Sequence, residues 1–84
     1  MIWGLVWTPR ALKDLRKLDP PVQARIVEAV ERYARTGIGD VVRLTDVDPP
    51  EHRLRVGDWR VRFRRDPAQA ILIILRVLRR DQAY

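Results

Sequence analysis

The sequence predicts an α+β fold in which an N-terminal helical hairpin packs against an antiparallel β-sheet, in the order β-α-α-β-β-β. The first observation is that apolar residues recur at helical spacing through the first half of the chain, after two helix-start signals. The second is that the apolar period falls to two after residue 52, with turn signals between the alternating segments. A chain of 84 residues has room for one core, so we expect a single domain over residues 1–84.

The first half begins with a short strand, which two helices follow. Residues 2–7 are apolar and aromatic, as is typical of a strand. Thr8-Pro9 supplies an N-cap and a proline at the first helical position, and Asp19-Pro20 repeats this signal for a second helix. Thr36-Gly37 ends the second helix, because glycine commonly follows a helix C-terminus. The two apolar stripes are Ala11, Leu12, Leu15 and Leu18, then Val22, Ile26, Ala29, Val30 and Tyr33.

Residues 37–52 are predicted to form a loop. They contain two glycines, the pair Pro49-Pro50 and several acidic residues, a composition that favours turns. A short extended segment could occur at Val41–Leu44. His52 is expected to be a loop residue just before the next strand.

Three further strands are predicted in the second half. Residues 53–56 and 59–64 alternate between apolar and basic side chains, and Gly57-Asp58 and Asp66-Pro67 indicate the turns of an antiparallel meander. Residues 71–75 are continuously apolar, which predicts a strand in the middle of the sheet that is buried on both faces. Alternate residues of a strand point to opposite faces. The set predicted to face the helices is Leu54, Val56, Trp59, Val61 and Phe63, and the set predicted to face away is Arg53, Arg55, Arg60, Arg62 and Arg64.

The whole net charge of +6 lies in the C-terminal part of the chain. Residues 1–52 carry eight basic and eight acidic residues, whereas residues 53–84 carry nine arginines against three aspartates. Arginine binds phosphate bidentately and stacks on bases, and like charges on adjacent strands repel unless a ligand neutralises them. The arginine face therefore indicates a surface for a polyanion, with RNA favoured. A solubilising surface is the alternative, although such a surface usually mixes Lys with Glu.

Several kinds of site are excluded or disfavoured. The absence of cysteine excludes disulfides, thiolate metal sites and a catalytic thiol, and the single histidine argues against a zinc site, so neither a metal nor a cofactor is expected. There is no serine and no glycine-rich phosphate loop. The apolar N-terminal segment is too short for a signal sequence or a membrane span, so we expect a cytoplasmic protein.

The polar residues that remain suffice for one reaction on RNA, in which the substrate's own 2′-OH attacks the adjacent phosphate. Arginines can stabilise the charge of the transition state, and a tyrosine with a lowered pKa could accept the proton, for which Tyr84 is the candidate. A terminal tyrosine is more often frayed or packed. Trp3, Trp7 and Trp59 could stack on bases, but their spacing favours core or interface roles.

Four segments of the chain resemble the RelE/ParE toxin superfamily of type II toxin–antitoxin systems. They are Trp7–Leu15, Val22–Ile26, Arg53–Val61 with the motif R-L-R-V-G-D-W-R-V, and Leu75–Arg80 leading to Tyr84. The Arg53–Val61 segment is the most specific, and together the four span nearly the whole chain. The resemblance implies a compact sheet on a helical hairpin, in a toxin that a cognate antitoxin neutralises.

The RelE branch of this superfamily cleaves mRNA in the ribosomal A site without a metal, so the resemblance implies residue roles in this chain. Basic residues on the strand before the turn hold the RNA backbone. An arginine that ends the turn motif and a C-terminal arginine stabilise the transition state, and a tyrosine is the candidate base. The implied catalytic set is Arg60, Arg80 and Tyr84, and the RNA-binding set is Arg53, Arg55, Arg62 and Arg79.

Departures from the family pattern keep alternatives open. Many relatives have Gly-His-Arg where this chain has Leu78-Arg79-Arg80, and the spacing to Tyr84 is irregular, so Arg79 could replace Arg80. The ParE branch shares the fold but inhibits DNA gyrase, which is the second hypothesis. The third is a catalytically inactive member that binds an antitoxin. The expected partner is an antitoxin with an acidic or amphipathic segment, bound in a toxin–antitoxin hetero-oligomer that weakens as salt rises.

Overall fold

A computed structural model describes residues 2–82 and shows two helices and a five-stranded sheet, which confirms the predicted α+β class. Neither helix within these residues is long and apolar enough to cross a membrane. The elements in chain order are β1 (Gly4–Trp7), α1 (Pro9–Arg16), α2 (Pro20–Thr36), β2 (Asp40–Leu44), β3 (Glu51–Val56), β4 (Trp59–Asp66) and β5 (Ile71–Arg79).

The helix boundaries follow the predicted capping signals. Thr8 Oγ1 accepts a hydrogen bond from the Ala11 N–H at 3.1 Å and donates to the Leu75 carbonyl at 3.3 Å, so the N-cap also attaches α1 to β5. Gly37 follows α2 with φ = 76°, and this left-handed conformation lets its N–H donate to the Tyr33 carbonyl at 2.8 Å. The hairpin of helices therefore begins and ends where local chemistry satisfies the terminal backbone groups.

The sheet has the strand order β1-β5-β4-β3-β2. The pairs from β2 to β5 are antiparallel as predicted, but β1 runs parallel to β5, with Gly4 opposite Ile71 and Trp7 opposite Ile74. The sheet is thus mixed rather than wholly antiparallel. The helical hairpin carries the chain from one edge of the sheet to β2 at the other, and the meander then returns to β1 in the parallel direction.

The segment predicted as a loop is shorter than expected. The extended segment predicted at Val41–Leu44 belongs to β2, which pairs with β3 from Asp40 opposite Arg55 to Leu44 opposite Glu51. Because this pairing extends β3 backward, His52 lies within a strand, opposite Phe63, and the prediction of a loop histidine is wrong. The full length of β2 was not predicted because turn-forming residues lie at both of its ends. The strand is stabilised by its pairing with β3.

The alternation of β3 and β4 produces the predicted two faces. Leu54, Val56, Val61 and Phe63 are buried against the helices, while Trp59 is partly buried and packs against the same core. The strand β5 differs from its prediction, because Leu72 and Ile74 are buried but Ile71, Ile73 and Leu75 are only partly buried. Its second face lies on the side of the sheet that no helix covers.

A buried carboxylate fastens the helical hairpin to the sheet. Asp14 of α1 is 8% exposed, and its Oδ2 accepts hydrogen bonds from Arg76 Nε at 2.7 Å and from the Val77 N–H at 3.0 Å. Arg76 Nη2 also donates to Oδ1, and Arg10 lies 3.8 Å from the same oxygen. The contacts with Arg76 and Val77 join residues more than 60 positions apart in the sequence, so they fix the tertiary position of α1.

The surroundings of Asp14 favour its charged form. Burial alone would raise its pKa, but the hydrogen bonds from Arg76 and Val77, together with the charges of Arg76 and Arg10, lower the pKa below its ordinary value. The same hydrogen bond raises the pKa of Arg76, against the opposing effect of burial. The pair is therefore ionised whenever the protein is folded near neutral pH.

Replacing Asp14 by Asn is expected to lower the free energy of unfolding by about 2–3 kcal/mol near neutral pH, because the amide cannot satisfy the Arg76 and Val77 donors as an anion does. The carboxyl has a lower pKa in the folded than in the unfolded chain, so the unfolded chain binds more protons in acid. The stability that Asp14 contributes is therefore complete above about pH 4 and is lost as the pH falls through the folded value. Urea unfolding across this pH range measures both effects.

The matched control is Asp19→Asn at the N-cap of α2. Asp19 is exposed and its side chain makes no capping hydrogen bond. This variant should change the free energy of unfolding by only a few tenths of a kcal/mol, as a typical surface substitution does. Equal losses in the two variants would contradict the anchoring role of Asp14.

Candidate functional site

The face of the sheet that points away from the helices carries opposed arginines. Arg53 of β3 lies opposite Arg62 of β4, and Arg55 lies opposite Arg60. Side chains at directly opposed positions have Cβ atoms about 4.5–5.5 Å apart, so these pairs bring like charges together. The predicted arginine face therefore exists over β3 and β4.

One buried acidic residue neutralises part of the charge at one end of this face. Glu51 is 5% exposed, and its Oε1 lies 2.7 Å from Arg62 Nη2 and accepts a hydrogen bond from Arg62 Nε at 2.9 Å. Its Oε2 lies 3.8 Å from Arg64 Nη2. The positive charge at this end of the face is therefore partly neutralised within the protein, and the fork of Arg62 is occupied by a carboxylate.

The other end of the face forms a concave cationic surface. A cavity of about 200 Å³ is lined by Arg53, Arg55 and Arg60 together with Asp40 and Val42. The carboxylate of Asp40 is 4.0 Å from Arg55, and both side chains are largely exposed. With three guanidinium groups against one carboxylate, this cavity has the charge and the donor geometry to bind phosphate groups. We call it the open-face cavity.

The tight turn between β3 and β4 holds the arginines beside this cavity. Gly57 has φ = 58°, a conformation that glycine adopts without strain. Its carbonyl accepts a hydrogen bond from Arg60 Nη1 at 2.8 Å, and the Trp59 carbonyl accepts another at 3.0 Å. These two bonds hold the Arg60 guanidinium near the turn.

The C-terminal arginines lie near the same turn. The Arg80 N–H donates to the Asp58 carbonyl at 2.9 Å, and Arg80 Nη1 is 4.0 Å from Asp58 Oδ1. The structure thus brings Arg80 to the turn that holds Arg60. Arg79 instead lies over the Trp59 ring, with its Cζ 5.8 Å from the centroid, and within 3.9 Å of Asp81. Adjacent arginines therefore have different surroundings.

Of the aromatic and titratable candidates, His52 lies away from this geometry. Tyr84, the predicted base, is outside the described residues. His52 stacks on Phe63 with ring centroids 5.5 Å apart, and burial, followed by the charges of Arg65 and Arg43, lowers its pKa. His52 is on the helix-facing side of β3, opposite the open-face cavity.

The residues that sequence reasoning missed are acidic. Glu51, Asp40 and Asp58 each pair with an arginine of the predicted site, yet none of them was predicted to contribute. One signal was present for Glu51, because it precedes Arg53 and Arg55 at the same two-residue spacing. The pairs of Asp40 and Asp58 depend on strand register and turn conformation, which the sequence pattern does not specify.

Comparison with solved structures defines the class of protein. The toxin–antitoxin complex RelBE2 from Mycobacterium tuberculosis contains a chain that matches 95% of this one over 94% of its own length, with 28% identity and a TM-score of 0.82. The archaeal RelE–RelB complex from Pyrococcus horikoshii OT3 matches 99% of this chain over 100% of its own, with 22% identity and a TM-score of 0.80. Among curated protein sequences, none matches. The fold is that of RelE-like toxins.

A family model narrows this class. The model for the ParE toxin of type II toxin–antitoxin systems, parDE, matches residues 5–84. The chain belongs to this ParE toxin family. The resemblance to the RelE/ParE superfamily, first drawn from four sequence segments, is confirmed, and the protein is a toxin of a type II toxin–antitoxin system.

Glu51→Gln is expected to lower the free energy of unfolding by about 2 kcal/mol, because it replaces a buried anion that accepts a charge-assisted hydrogen bond from Arg62. It should also raise the salt concentration that elutes the folded protein from heparin, because Arg62 and Arg64 lose their neutralising partner. Urea unfolding and heparin chromatography measure the two effects.

The matched control for charge is Glu31→Gln, which removes one negative charge from an exposed site on α2. If both variants shift elution from heparin equally, then net charge alone determines heparin affinity, and the hypothesis that Glu51 locally neutralises the arginine face is wrong. If Glu51→Gln leaves stability unchanged, the ion pair with Arg62 contributes nothing.

Proposed function

We propose that this toxin is a metal-independent endonuclease that cleaves mRNA on the ribosome and so inhibits translation. The observation that carries the proposal is the open-face cavity, in which Arg53, Arg55 and Arg60 meet beside the turn that also holds Arg80. A concave set of guanidinium groups matches the phosphates of a single RNA strand. The likeness to the RelE-like chain of the Mycobacterium tuberculosis complex, together with the sequence resemblance to the RelE branch, favours this proposal.

The reaction uses a nucleophile that the substrate supplies. The 2′-oxygen attacks the adjacent phosphorus, the bond from phosphorus to the 5′-oxygen breaks, and the products are a 2′,3′-cyclic phosphate and a 5′-hydroxyl. One proton leaves the 2′-OH and one reaches the departing 5′-oxygen, so the protein has to move protons and stabilise added negative charge. In our proposal Tyr84 accepts the first proton.

The arginines have different roles in the proposed reaction, according to their positions. Arg60, held by two backbone carbonyls of the turn, and Arg80, bound to the Asp58 backbone, stabilise the charge on the reacting phosphate. Arg53 and Arg55 lie along β3 and hold the phosphates on either side. Arg60 needs little reorganisation at the moment of reaction, which is the condition under which fixed donors accelerate phosphoryl transfer most.

Two other predicted RNA-binding residues have weaker support. Arg62 is hydrogen-bonded to Glu51 and is only 21% exposed, so we assign it a structural role in shaping the face. Arg79 stacks on Trp59 away from the open-face cavity, and we keep Arg80 as the catalytic arginine because it shares the turn with Arg60.

The second candidate function is inhibition of DNA gyrase without catalysis. The observation that favours it is the match of residues 5–84 to the ParE family model. A gyrase inhibitor would not need an arginine held by the carbonyls of the turn, as Arg60 is. Supercoiling by purified gyrase in the presence of the toxin separates the two functions, because a ribosome-directed endonuclease leaves supercoiling unchanged.

We further propose that a cognate antitoxin neutralises the toxin. The solved RelE chains from Pyrococcus horikoshii OT3 and Mycobacterium tuberculosis are in complexes with antitoxins. The charge of +6 on this chain favours an acidic inhibitory segment. Affinity between the two proteins should fall as salt rises, and an affinity independent of salt would exclude this electrostatic mode.

Arg60→Ala is expected to abolish growth arrest and new mRNA ends while the protein stays folded, because it removes one donor at the reacting phosphate. Loss of such a donor typically costs about 10²–10³ in rate. Primer extension on transcripts after induction measures cleavage, and circular dichroism confirms the fold. Arg35→Ala, at an exposed position of α2, removes the same charge and should leave cleavage unchanged.

Three outcomes would contradict the proposal in different ways. Growth arrest without new mRNA ends, together with inhibited supercoiling, would establish the gyrase function instead. Undiminished cleavage by Arg60→Ala would remove Arg60 from the catalytic set but leave the RNase activity. An equal loss with Arg35→Ala would show that overall charge, and not the open-face cavity, determines activity.

A further inference from the structure

A second cationic cavity lies on the other face of the sheet. It has a volume of about 350 Å³ and lies between α1 and the end of β5. Four basic side chains line it, namely Arg10 of α1, Lys17 at the C-cap of α1, and Arg76 and Arg79 of β5. We call it the helix-side cavity. The fold accounts for Arg76, which pairs with Asp14, but neither the fold nor the proposed reaction accounts for Lys17 and Arg79.

The charge of the helix-side cavity is only partly compensated. Among the lining residues the carboxylate is that of Asp14, and it is engaged by Arg76 and the Val77 N–H. Arg10 is 60% exposed and 3.8 Å from the same carboxylate, and Arg79 is 3.9 Å from the exposed Asp81. Four cations against one lining carboxylate leave the cavity positive, so it favours an anionic ligand.

The cavity also has a planar wall. The Arg79 guanidinium lies over the Trp59 ring at 5.8 Å from the centroid, and both residues line the cavity. Aromatic rings and guanidinium planes are the surfaces on which unpaired bases stack in complexes with single-stranded nucleic acid. Phosphate-binding charge beside such a wall fits a nucleotide better than it fits a carboxylate side chain.

The two cationic cavities meet at the same end of the sheet. Trp59 lines the helix-side cavity and Arg60, the next residue, lines the open-face cavity, as successive residues of a strand point to opposite faces. Arg79 and Arg80 also lie on different sides, because Arg79 lines the helix-side cavity and Arg80 contacts the turn. A flexible strand that passes around this end would contact both.

We infer that the helix-side cavity is a second RNA subsite, which binds the phosphate and base of a nucleotide next to the segment held in the open-face cavity. Arg10 and Lys17 contact the phosphate, and the base lies against Arg79 and Trp59. The inference rests on the proposed action on RNA. It adds a positioning function for α1, because the nucleotide held there would fix the register of the strand at Arg60.

The test compares two double variants of the same helix. Arg10→Gln/Lys17→Gln removes two charges that line the cavity, whereas Lys13→Gln/Arg16→Gln removes two charges of α1 that do not. Fluorescence anisotropy with a short labelled single-stranded RNA measures affinity over a range of salt. The first variant should bind about tenfold more weakly and lower the salt slope by roughly 0.7, since one phosphate contact on a single strand contributes about that much.

A third variant tests the base-stacking wall separately from charge. Arg79→Lys keeps the positive charge and loses the planar group, so it should weaken binding about fivefold or more with little change in salt slope. Thermal unfolding of each variant verifies that the fold is intact. Because Arg79 is 62% exposed, this substitution leaves the core untouched.

Different results distinguish failure of this inference from failure of the proposed function. If Arg53→Gln/Arg55→Gln weakens RNA binding but Arg10→Gln/Lys17→Gln behaves like its control, the second subsite is overturned and the open-face cavity stands. If Arg53→Gln/Arg55→Gln leaves RNA binding unchanged, the proposed RNA function fails. If Arg10→Gln/Lys17→Gln weakens binding of a polyglutamate peptide but not of RNA, the helix-side cavity is a site for an acidic protein partner, which also overturns the inference.

Discussion

The ion pair between Asp14 and Arg76 is the contact on which the placement of the helices depends. Helix α1 is short, with eight residues, and a helix of this length has little stability of its own in water. Its position is fixed because a buried carboxylate accepts hydrogen bonds from two consecutive residues of β5. The same contact forms one wall of the helix-side cavity. The Asp14–Arg76 ion pair thus contributes both to the fold and to the wall of the candidate second site.

Clustered arginines repel one another, and the two ends of the face differ in how far acidic side chains reduce this repulsion. At one end, Glu51 is buried beneath Arg62 and partly neutralises the face. At the other, Arg55 has only the exposed Asp40 at 4.0 Å, and such exposed pairs contribute about 0–1 kcal/mol. The repulsion is therefore relieved more strongly beside Arg62 than beside Arg55. A concave surface lined by three arginines is suited to a polyanionic ligand.

Local chemistry in the sequence was sufficient to predict much of this molecule, and the limits have physical causes. Caps at Thr8 and Gly37, and the alternation that places Leu54 and Val61 inward, depend on neighbouring residues and were predictable. The parallel pairing of β1 with β5 joins segments more than 60 residues apart, and no local pattern encodes it. The neutralisation of Arg62 by Glu51 likewise requires the register of two strands.

The fold alone does not determine which target this toxin attacks, because one architecture carries unrelated activities in different members of a family. The proposal that the target is RNA rests on the geometry at the end of the sheet. Two backbone carbonyls hold the Arg60 guanidinium, and the Arg80 backbone N–H donates to the Asp58 carbonyl of the same turn. Donors that are fixed in advance stabilise a transition state, whereas a binding surface alone does not require them. The held guanidinium of Arg60 is therefore the feature on which we propose a reaction at phosphate and not binding alone.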